Sequence, residues 1–457
     1  MKRAACLLGL LSLAIGACDG RISDSDPVVP GTDALLRQQI AQWGVLPIGA
    51  MPAQDPKLVT LGRALFFDKV LSGNRDIACA SCHQASASLG DGLSLAVGTG
   101  HTGAGAARMP GPGRTFGARH APSLLNSGLG MFYLFWDGRL TRFGQEGPGP
   151  FGGNDPRLPL PPTAQGNALI GQPLLTVVSR FEMRGAVGDR DVFGNVNELA
   201  QIADDKPEAV WSAIMKRLLA IPEYVGMFTD AYPGRPTTTL SFEDAARALA
   251  VFQMHEFTKT NAPFDQYLNR NDAALTAEQK RGAQLFFGTA QCASCHSGPF
   301  LGGQNFTNAG VPQIGPGVKS QLPLDLGRGE LQNNEFYKFA FRVAPLRNVE
   351  LTAPYMHNGA YRTLEAVIDH YNNVPLALRT YDVSQLTPAL RPMHHGDDAT
   401  INAVLQNLDF RLRTPLNLTE AEKGELIAFL KSLTDPGARS LGGIAPAGVP
   451  SGLAIDP

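Results

Sequence analysis

Apolar and polar positions along this chain follow a helical period far more often than an alternating one. Apolar residues recur at helical spacing from Pro207 to Leu219, and a second such run ending at Met254 follows Ser241, which can cap it. Alternation typical of strands is sparse. Two further helix starts carry a capping box, Thr276 with Gln279 and Thr419 with Glu422. The pattern predicts a mainly α protein.

One amphipathic segment occurs twice. Leu61–Phe67 (LGRALFF) and Arg281–Phe287 (RGAQLFF) share a glycine, a leucine and a final pair of phenylalanines. Each is followed by the five residues Cys-Ala-Ser-Cys-His. A repeated helix that leads into a repeated motif predicts two homologous domains.

The repeated motif carries the chemistry. Two thiols at this spacing can each add to a vinyl group of one haem, and the adjacent histidine then becomes the axial iron ligand. A zinc knuckle or a redox dithiol is the alternative, but zinc needs further thiols or a histidine pair, and the only other cysteines are Cys6 and Cys18. We therefore predict two covalently attached c-type haems, held by Cys79, Cys82 and His83 and by Cys292, Cys295 and His296.

The start of the chain resembles an export signal. Lys2 and Arg3 precede an apolar stretch, residues 4–16, that is too short to span a bilayer. Ile15-Gly16-Ala17-Cys18 resembles a lipobox, which predicts a periplasmic protein tethered by lipid at Cys18. The alternative is a plain cleaved signal.

The composition and charge of the chain limit the possible functions and the kind of fold. The 39 basic and 41 acidic residues nearly balance, which argues against nucleic-acid binding. The 50 glycines and 34 prolines predict long irregular loops around the helices. We predict a signal peptide over residues 1–18, a linker over 19–34, cytochrome c domains over 35–260 and 261–435, and a flexible tail over 436–457.

From Leu61 to Asp435 the chain resembles the bacterial dihaem cytochrome c peroxidases, a family that includes MauG. The resemblance rests on the two haem motifs and on several blocks in the same order: Phe135–Arg139, Gln172 with Glu182, Ala262–Leu268 and Leu346–Gly359. It implies that the first domain is peroxidatic and that the second transfers electrons. Hydrogen peroxide would be the substrate, and a small cytochrome c or a cupredoxin would be the electron donor.

The same resemblance assigns roles near the first haem. Gln172 would orient peroxide and Glu182 would move its protons, with Trp136 relaying electrons between the haems. The chain departs from the family at Thr176, where proline is common. Some members carry a blocking histidine on the loop after the first haem; here Thr99 holds that place and His101 follows. Either no reductive activation is needed or His101 takes the role, and the first is favoured.

At the second haem the resemblance places Tyr371 seven residues after the leucine of Thr363-Leu364-Glu365, where peroxidases commonly have methionine. A tyrosine ligand is the MauG arrangement and favours higher iron oxidation states. Competing ligands are His370, Met356 and Met393.

The family also binds calcium between the haems, which the resemblance assigns to the carbonyls of Thr352 and Pro354. His120 stands where the family has an asparagine ligand, and imidazole is a poor calcium ligand. The carbonyls of Thr352 and Pro354 thus favour a calcium site, whereas His120 argues against one.

Three functions follow. The first is a hydrogen peroxide reductase. The second is a MauG-like oxidase that modifies a residue of a partner protein through high-valent haem states, which Tyr371 favours. The third is a dihaem electron carrier, against which Gln172 and Glu182 argue, because a carrier needs no acid–base pair.

Overall fold

The computed structural model describes residues 32–141, 144–145, 168–318 and 323–456. The predicted signal and most of the linker lie outside these residues. No helix within the described ranges has the length and apolarity needed to cross a membrane.

The described residues are mainly helical, as predicted. The helices are α1 (Thr32–Gln42), α2 (Pro56–Phe67), α3 (Cys79–Cys82), α4 (Ala168–Thr176), α5 (Glu198–Gln201), α6 (Pro207–Leu219), α7 (Pro222–Ala231), α8 (Phe242–Glu256), α9 (Pro263–Leu268), α10 (Ala277–Phe287), α11 (Arg328–Gln332), α12 (Leu364–Asn372), α13 (Val374–Arg379), α14 (Asp398–Gln406) and α15 (Glu420–Ser432). Ser241, Thr276 and Thr419 are the N-caps of α8, α10 and α15, which confirms those predicted starts.

The strands of the described residues are two residues long and pair antiparallel in three small sheets. The sheets contain β1 (His101–Thr102) with β2 (Met109–Pro110), then β3 (Tyr133–Leu134), β4 (Leu140–Thr141) and β5 (Gly144–Gln145), and finally β6 (Phe306–Thr307) with β7 (Phe341–Arg342). These short pairs connect neighbouring loops and do not form an extended sheet.

The duplicated segment forms the same packing unit twice. Helix α2 crosses α8 so closely that a Cβ on Gly62 would lie 2.0 Å from the Ala248 carbonyl oxygen, and a Cβ on Gly282 of α10 would lie 1.9 Å from that of Glu425 in α15. Each phenylalanine pair then packs against two further phenylalanine rings. Phe66 lies 5.3 Å from Phe252, and Phe286 lies 5.1 Å from Phe429. The two glycines therefore set the approach of the helices under each haem motif.

The two largest hydrophobic cores of the described residues form around these units, and each end of the described chain packs into the core that is farther from it in sequence. Leu36 and Ile40 of α1 are buried in the second core, and Trp43 donates its indole N–H to the Phe287 carbonyl (3.0 Å). The predicted boundaries are therefore wrong here, since residues 32–45 pack with the second domain rather than forming a linker and the start of the first.

The segment after Asp435 packs on the first core, although it follows the second core in sequence. Leu441 and Ile444 join the first core, the Ser451 hydroxyl donates to Asp68 (2.6 Å), and Asp456 pairs with Lys69 (2.5 Å). The prediction of a flexible tail is wrong as far as residue 456. Glycine and proline exclude regular helices there, but they do not prevent apolar side chains from burying.

We expect Gly282→Ala to destabilise the protein by about 1–3 kcal/mol, because the added methyl overlaps the backbone of α15 and forces the helices apart. Thermal or denaturant unfolding of the haem-loaded protein measures this.

Gly424→Ala is the matched control, because Gly424 lies in α15 itself and a Cβ there would meet nothing within 4 Å. It should stabilise by about 0.5–1 kcal/mol through helix propensity. Equal effects of the two substitutions would contradict the close crossing.

Candidate functional site

The first Cys-Ala-Ser-Cys-His motif is a helical turn with its histidine held in one orientation. Helix α3 spans Cys79–Cys82, and the His83 Nδ1 lies 2.9 Å from the Leu89 carbonyl oxygen. Because that nitrogen donates to the carbonyl, Nε2 keeps its lone pair. Burial lowers the pKa of His83 to about 4, so the ring is neutral and suited to bind iron.

The second motif repeats this arrangement with a 3₁₀ turn at Cys292–Ser294. The His296 Nδ1 lies 3.1 Å from the Leu301 carbonyl oxygen, and burial again lowers the pKa of the ring to about 4. Two half-buried thiols and an oriented neutral imidazole at each motif fit a covalently attached haem.

A cavity of about 620 Å³ adjoins the first motif. Cys79, Cys82 and His83 line one side, and apolar side chains such as Phe66 and Leu249 line much of the rest. Burial raises the pKa of the Cys79 thiol to about 12 and that of Cys82 to about 11. The volume and the apolar lining suit a macrocycle; we call this space the first cavity.

Gln172 and Glu182 line the first cavity with His83, so three predicted site residues meet there. Gln172 lies on α4, and Glu182 lies in a π-helical turn, Arg180–Arg184, whose N-cap Ser179 accepts the Glu182 backbone N–H (3.2 Å). Burial raises the pKa of Glu182, against the opposing effects of Arg139 and a hydrogen bond to Thr176. The carboxyl thus holds protons more readily than a solvated glutamate.

Thr176 was noted in the sequence only as a departure from the family, and it proves to be part of this wall. Its hydroxyl donates to the Gln172 carbonyl (3.0 Å) at the end of α4, and the same side chain is near enough to Glu182 to lower the pKa of that carboxyl. A proline has no hydroxyl for either effect.

The loop after the first motif is tied to the Glu182 turn. The Thr99 N–H donates to the carbonyls of Phe181 (3.2 Å) and Glu182 (3.1 Å), and the Thr99 hydroxyl donates to Asp76 (2.7 Å). His101 belongs to β1 and is not among the residues that line the first cavity.

Trp136 lines both the first cavity and a small cavity of about 110 Å³, as does His120. The Trp136 indole N–H donates to the His120 carbonyl (2.9 Å). Thr352 and Pro354 line the small cavity as well. The indole therefore stands in a wall between two spaces.

The residues around the small cavity do not fit calcium. The His120 ring uses Nδ1 on the Leu93 carbonyl (2.7 Å), and the small cavity is also lined by the cationic Arg342 and Arg347. Calcium needs six to eight oxygen ligands and repels fixed cations. Among the described residues no cluster of three or more acidic, histidine or cysteine side chains could hold a metal ion.

Tyr371 lies on α12 near the second motif. Burial raises the pKa of its phenol, with Cys295 and Cys292 acting in the same direction, so these side chains share one environment. The neighbouring His370 is committed elsewhere. Its Nδ1 lies 2.9 Å from the Tyr361 hydroxyl and its Nε2 lies 2.8 Å from the Ala309 carbonyl. Met356 lines the small cavity instead.

Sequence reasoning missed two arginines. Arg108 is buried, pairs with Asp91 (2.9 Å) and approaches the Cys82 sulfur (3.4 Å). Arg342 lines both cavities. Neither has a local motif, and only chain folding brings them to the motif or the cavity wall.

Comparisons with known proteins agree with this architecture. The family model for the di-haem cytochrome c peroxidase matches residues 56–273. The methylamine utilization protein MauG of Methylorubrum extorquens is 26% identical over 94% of this chain and 93% of its own length. The cytochrome c551 peroxidase of Pseudomonas aeruginosa is 30% identical over 69% of this chain and 72% of its own.

Solved structures share the fold. A MauG-like protein associated with microbial copper homeostasis aligns with a TM-score of 0.57 at 24% identity, over 87% of this chain and 95% of the other. The diheme peroxidase BthA from Burkholderia thailandensis aligns with a TM-score of 0.56 at 20% identity, over 91% and 94%. The family model, the relatives and the repeated haem-binding geometry lead to one conclusion: the chain belongs to the di-haem cytochrome c peroxidase family.

Proposed function

We propose that the protein reduces hydrogen peroxide to water at the haem held by His83, with electrons that enter through the second haem. As a member of a peroxidase family the chain is an oxidoreductase. The observation that carries the more detailed proposal is that an acid–base carboxyl, Glu182, and an amide, Gln172, line the cavity of the first motif. The net reaction takes two electrons and two protons and yields two waters from each peroxide.

When bound, the haem supplies the electrons that cleave the O–O bond. Glu182 would accept a proton from one oxygen of peroxide and return it to the other, which would leave as water. Gln172 donates an amide N–H to peroxide and fixes its direction. The raised pKa of Glu182 suits this exchange, because it brings the carboxyl closer to the working pH. A carboxyl with such a pKa can both accept and release a proton.

Electron transfer between the two sites is assigned to Trp136. Its ring lies in the wall between two cavities, and its indole is fixed by the His120 carbonyl. A fixed aromatic ring can relay an electron between metals that do not touch. A small cytochrome c or a cupredoxin is the proposed donor.

We also propose that the first site needs no reductive activation. The loop that could carry a blocking histidine holds Thr99, whose backbone is bonded to the Glu182 turn. His101 lies in a β-hairpin with Pro110 opposite it and does not line the cavity. The resting ferric protein should then be open to peroxide.

A second candidate, a MauG-like oxidase acting on a residue of a partner protein, is favoured by Tyr371. This side chain is half-buried near the second motif, and its competitor His370 has both nitrogens engaged. An anionic oxygen ligand favours oxidised iron. The same fold would then store oxidising equivalents for a protein substrate.

The proposed location is the periplasm, with lipid attached at Cys18, since covalent haem attachment takes place outside the bacterial cytoplasm. Cys18 lies outside the described residues.

Replacing Glu182 with Gln should lower peroxide turnover by about 10²–10⁴-fold, because the amide cannot carry the proton. Stopped-flow oxidation of a reduced small cytochrome c measures this. Glu208→Gln, an exposed charge change on α6, is the matched control and should leave turnover unchanged. Equal rates for Glu182→Gln and the wild type would remove Glu182 from the mechanism.

The pH profile gives an independent check. Glu182 must be ionised to accept the proton, and burial raises its pKa. Turnover should therefore fall as the pH is lowered through a value above the ordinary range for glutamate, and this acidic limb should be absent from Glu182→Gln. An acidic limb that is identical in both proteins would assign it to another group.

Tyr371→Met should raise the midpoint potential of the second haem, because a thioether favours ferrous iron relative to a phenolate. Tyr371→Phe keeps the ring and removes the oxygen, so the second haem should gain an open position and a high-spin spectrum. Potentiometric titration and electron paramagnetic resonance follow both changes. An unaltered spectrum in Tyr371→Phe would refute the ligand assignment.

A further inference from the structure

Arg342 lies in the wall between the two cavities. It belongs to β7, where it pairs with Phe306 of β6, and its backbone N–H donates to the Trp136 carbonyl (2.7 Å). Only 7% of the residue is exposed to solvent. Arg342 lines both cavities, and the first cavity is also lined by Cys79, Cys82 and His83.

The guanidinium has neutral partners only. Its Nε donates to the Phe135 carbonyl (3.1 Å), and one terminal nitrogen contacts the Met131 sulfur (3.7 Å). Among the described residues, Arg342 forms no ion pair with a carboxylate. Asp137 acts on it at longer range, but that carboxylate already pairs with Arg119 (2.6 Å) and Arg139 (3.6 Å).

Other buried arginines of this protein do have an anionic partner. Arg108 pairs with Asp91 (2.9 Å), Arg217 with Glu198 (2.5 Å) and Arg347 with Asp265. An uncompensated buried charge costs several kcal/mol. Burial accordingly lowers the pKa of Arg342 to about 10. Among the described residues, Arg342 is thus a desolvated cation that lines the first cavity without pairing with a carboxylate.

A c-type haem brings two carboxylates on its propionate arms. From the position and the missing partner of this side chain, we infer that Arg342 binds a propionate carboxylate of the haem attached at Cys79 and Cys82. A guanidinium offers donors in a planar fork that matches a carboxylate. The inference rests on the haem attachment of the proposed function and adds a cofactor-binding residue to it.

Two consequences follow for the space between the haem sites. The fixed positive charge beside Trp136 favours the reduced state of the first haem, because reduction removes one positive charge from the iron. It also supplies the cation that balances a propionate there, so calcium has no such role in this protein.

The test compares Arg342→Gln, which removes the charge, with Arg342→Lys, which keeps it. Spectroscopic redox titration of the dihaem protein follows each haem separately. Arg342→Gln should lower the midpoint potential of the first haem, by roughly tenfold in the reduction equilibrium, the order expected for one charge-assisted hydrogen bond. Arg342→Lys should restore most of the change, and the second haem should shift less. Washing the wild type with a calcium chelator should change neither potential.

The assignment would be overturned if Arg342→Gln with both haems present left the midpoint potential of the first haem unchanged, or if the Gln and Lys variants shifted it equally. A potential shift confined to the second haem would also overturn it, as would a calcium chelator that shifts the potential of the wild type as Arg342→Gln does. Failure of the proposed function is distinguishable, because peroxide turnover is measured separately from the two potentials, and a wild type without a covalent haem at Cys79 and Cys82 would be recognised by its mass.

If Arg342→Gln does not mature with its haems, the contact can be tested in the wild type by infrared difference spectroscopy between the oxidised and the reduced protein. Guanidinium bands that respond to reduction of the first haem, identified by ¹⁵N-arginine labelling, are expected to be present. Their absence would overturn the contact.

Discussion

The hydrogen bond from each motif histidine to a backbone carbonyl orders the rest of the site. His83 uses Nδ1 on Leu89 and His296 uses Nδ1 on Leu301, at 2.9 and 3.1 Å. This contact fixes the tautomer and the ring direction, so only Nε2 remains to meet iron. In the function we propose, this nitrogen of each motif binds a haem, and peroxide reacts in the first cavity, which Gln172 and Glu182 line.

Around this shared geometry the electrostatics of the two sites differ. The lining of the first cavity includes a protonatable carboxyl, Glu182, and a guanidinium, Arg342, that pairs with no carboxylate among the described residues. Near the second motif the notable group is a phenol, Tyr371, in surroundings that disfavour its ionisation unless a cation is present. One packing unit, used twice, thus adjoins two different sites, and we propose that the first serves proton transfer and that the second holds oxidised iron.

The fold shows which kinds of sequence signal are reliable here. The capped starts of α8, α10 and α15 were predictable because a cap is a local interaction over three residues. The boundaries of the two cores were not. Helix α1 and the segment after Asp435 each pack on the domain more distant in sequence, and composition contains no information about which surface an apolar residue will meet.

The sequence by itself determined the helical class, the duplication and the two haem motifs, because these depend on spacing between near neighbours. With the family resemblance it also named Glu182, Gln172, Trp136 and Tyr371. Only the tertiary structure decided that Thr176 lies near Glu182, that His370 is engaged by Tyr361, and that Arg342 pairs with no carboxylate among the described residues. Those facts depend on side chains brought together from distant segments, where burial rather than residue type sets the energy of a charge.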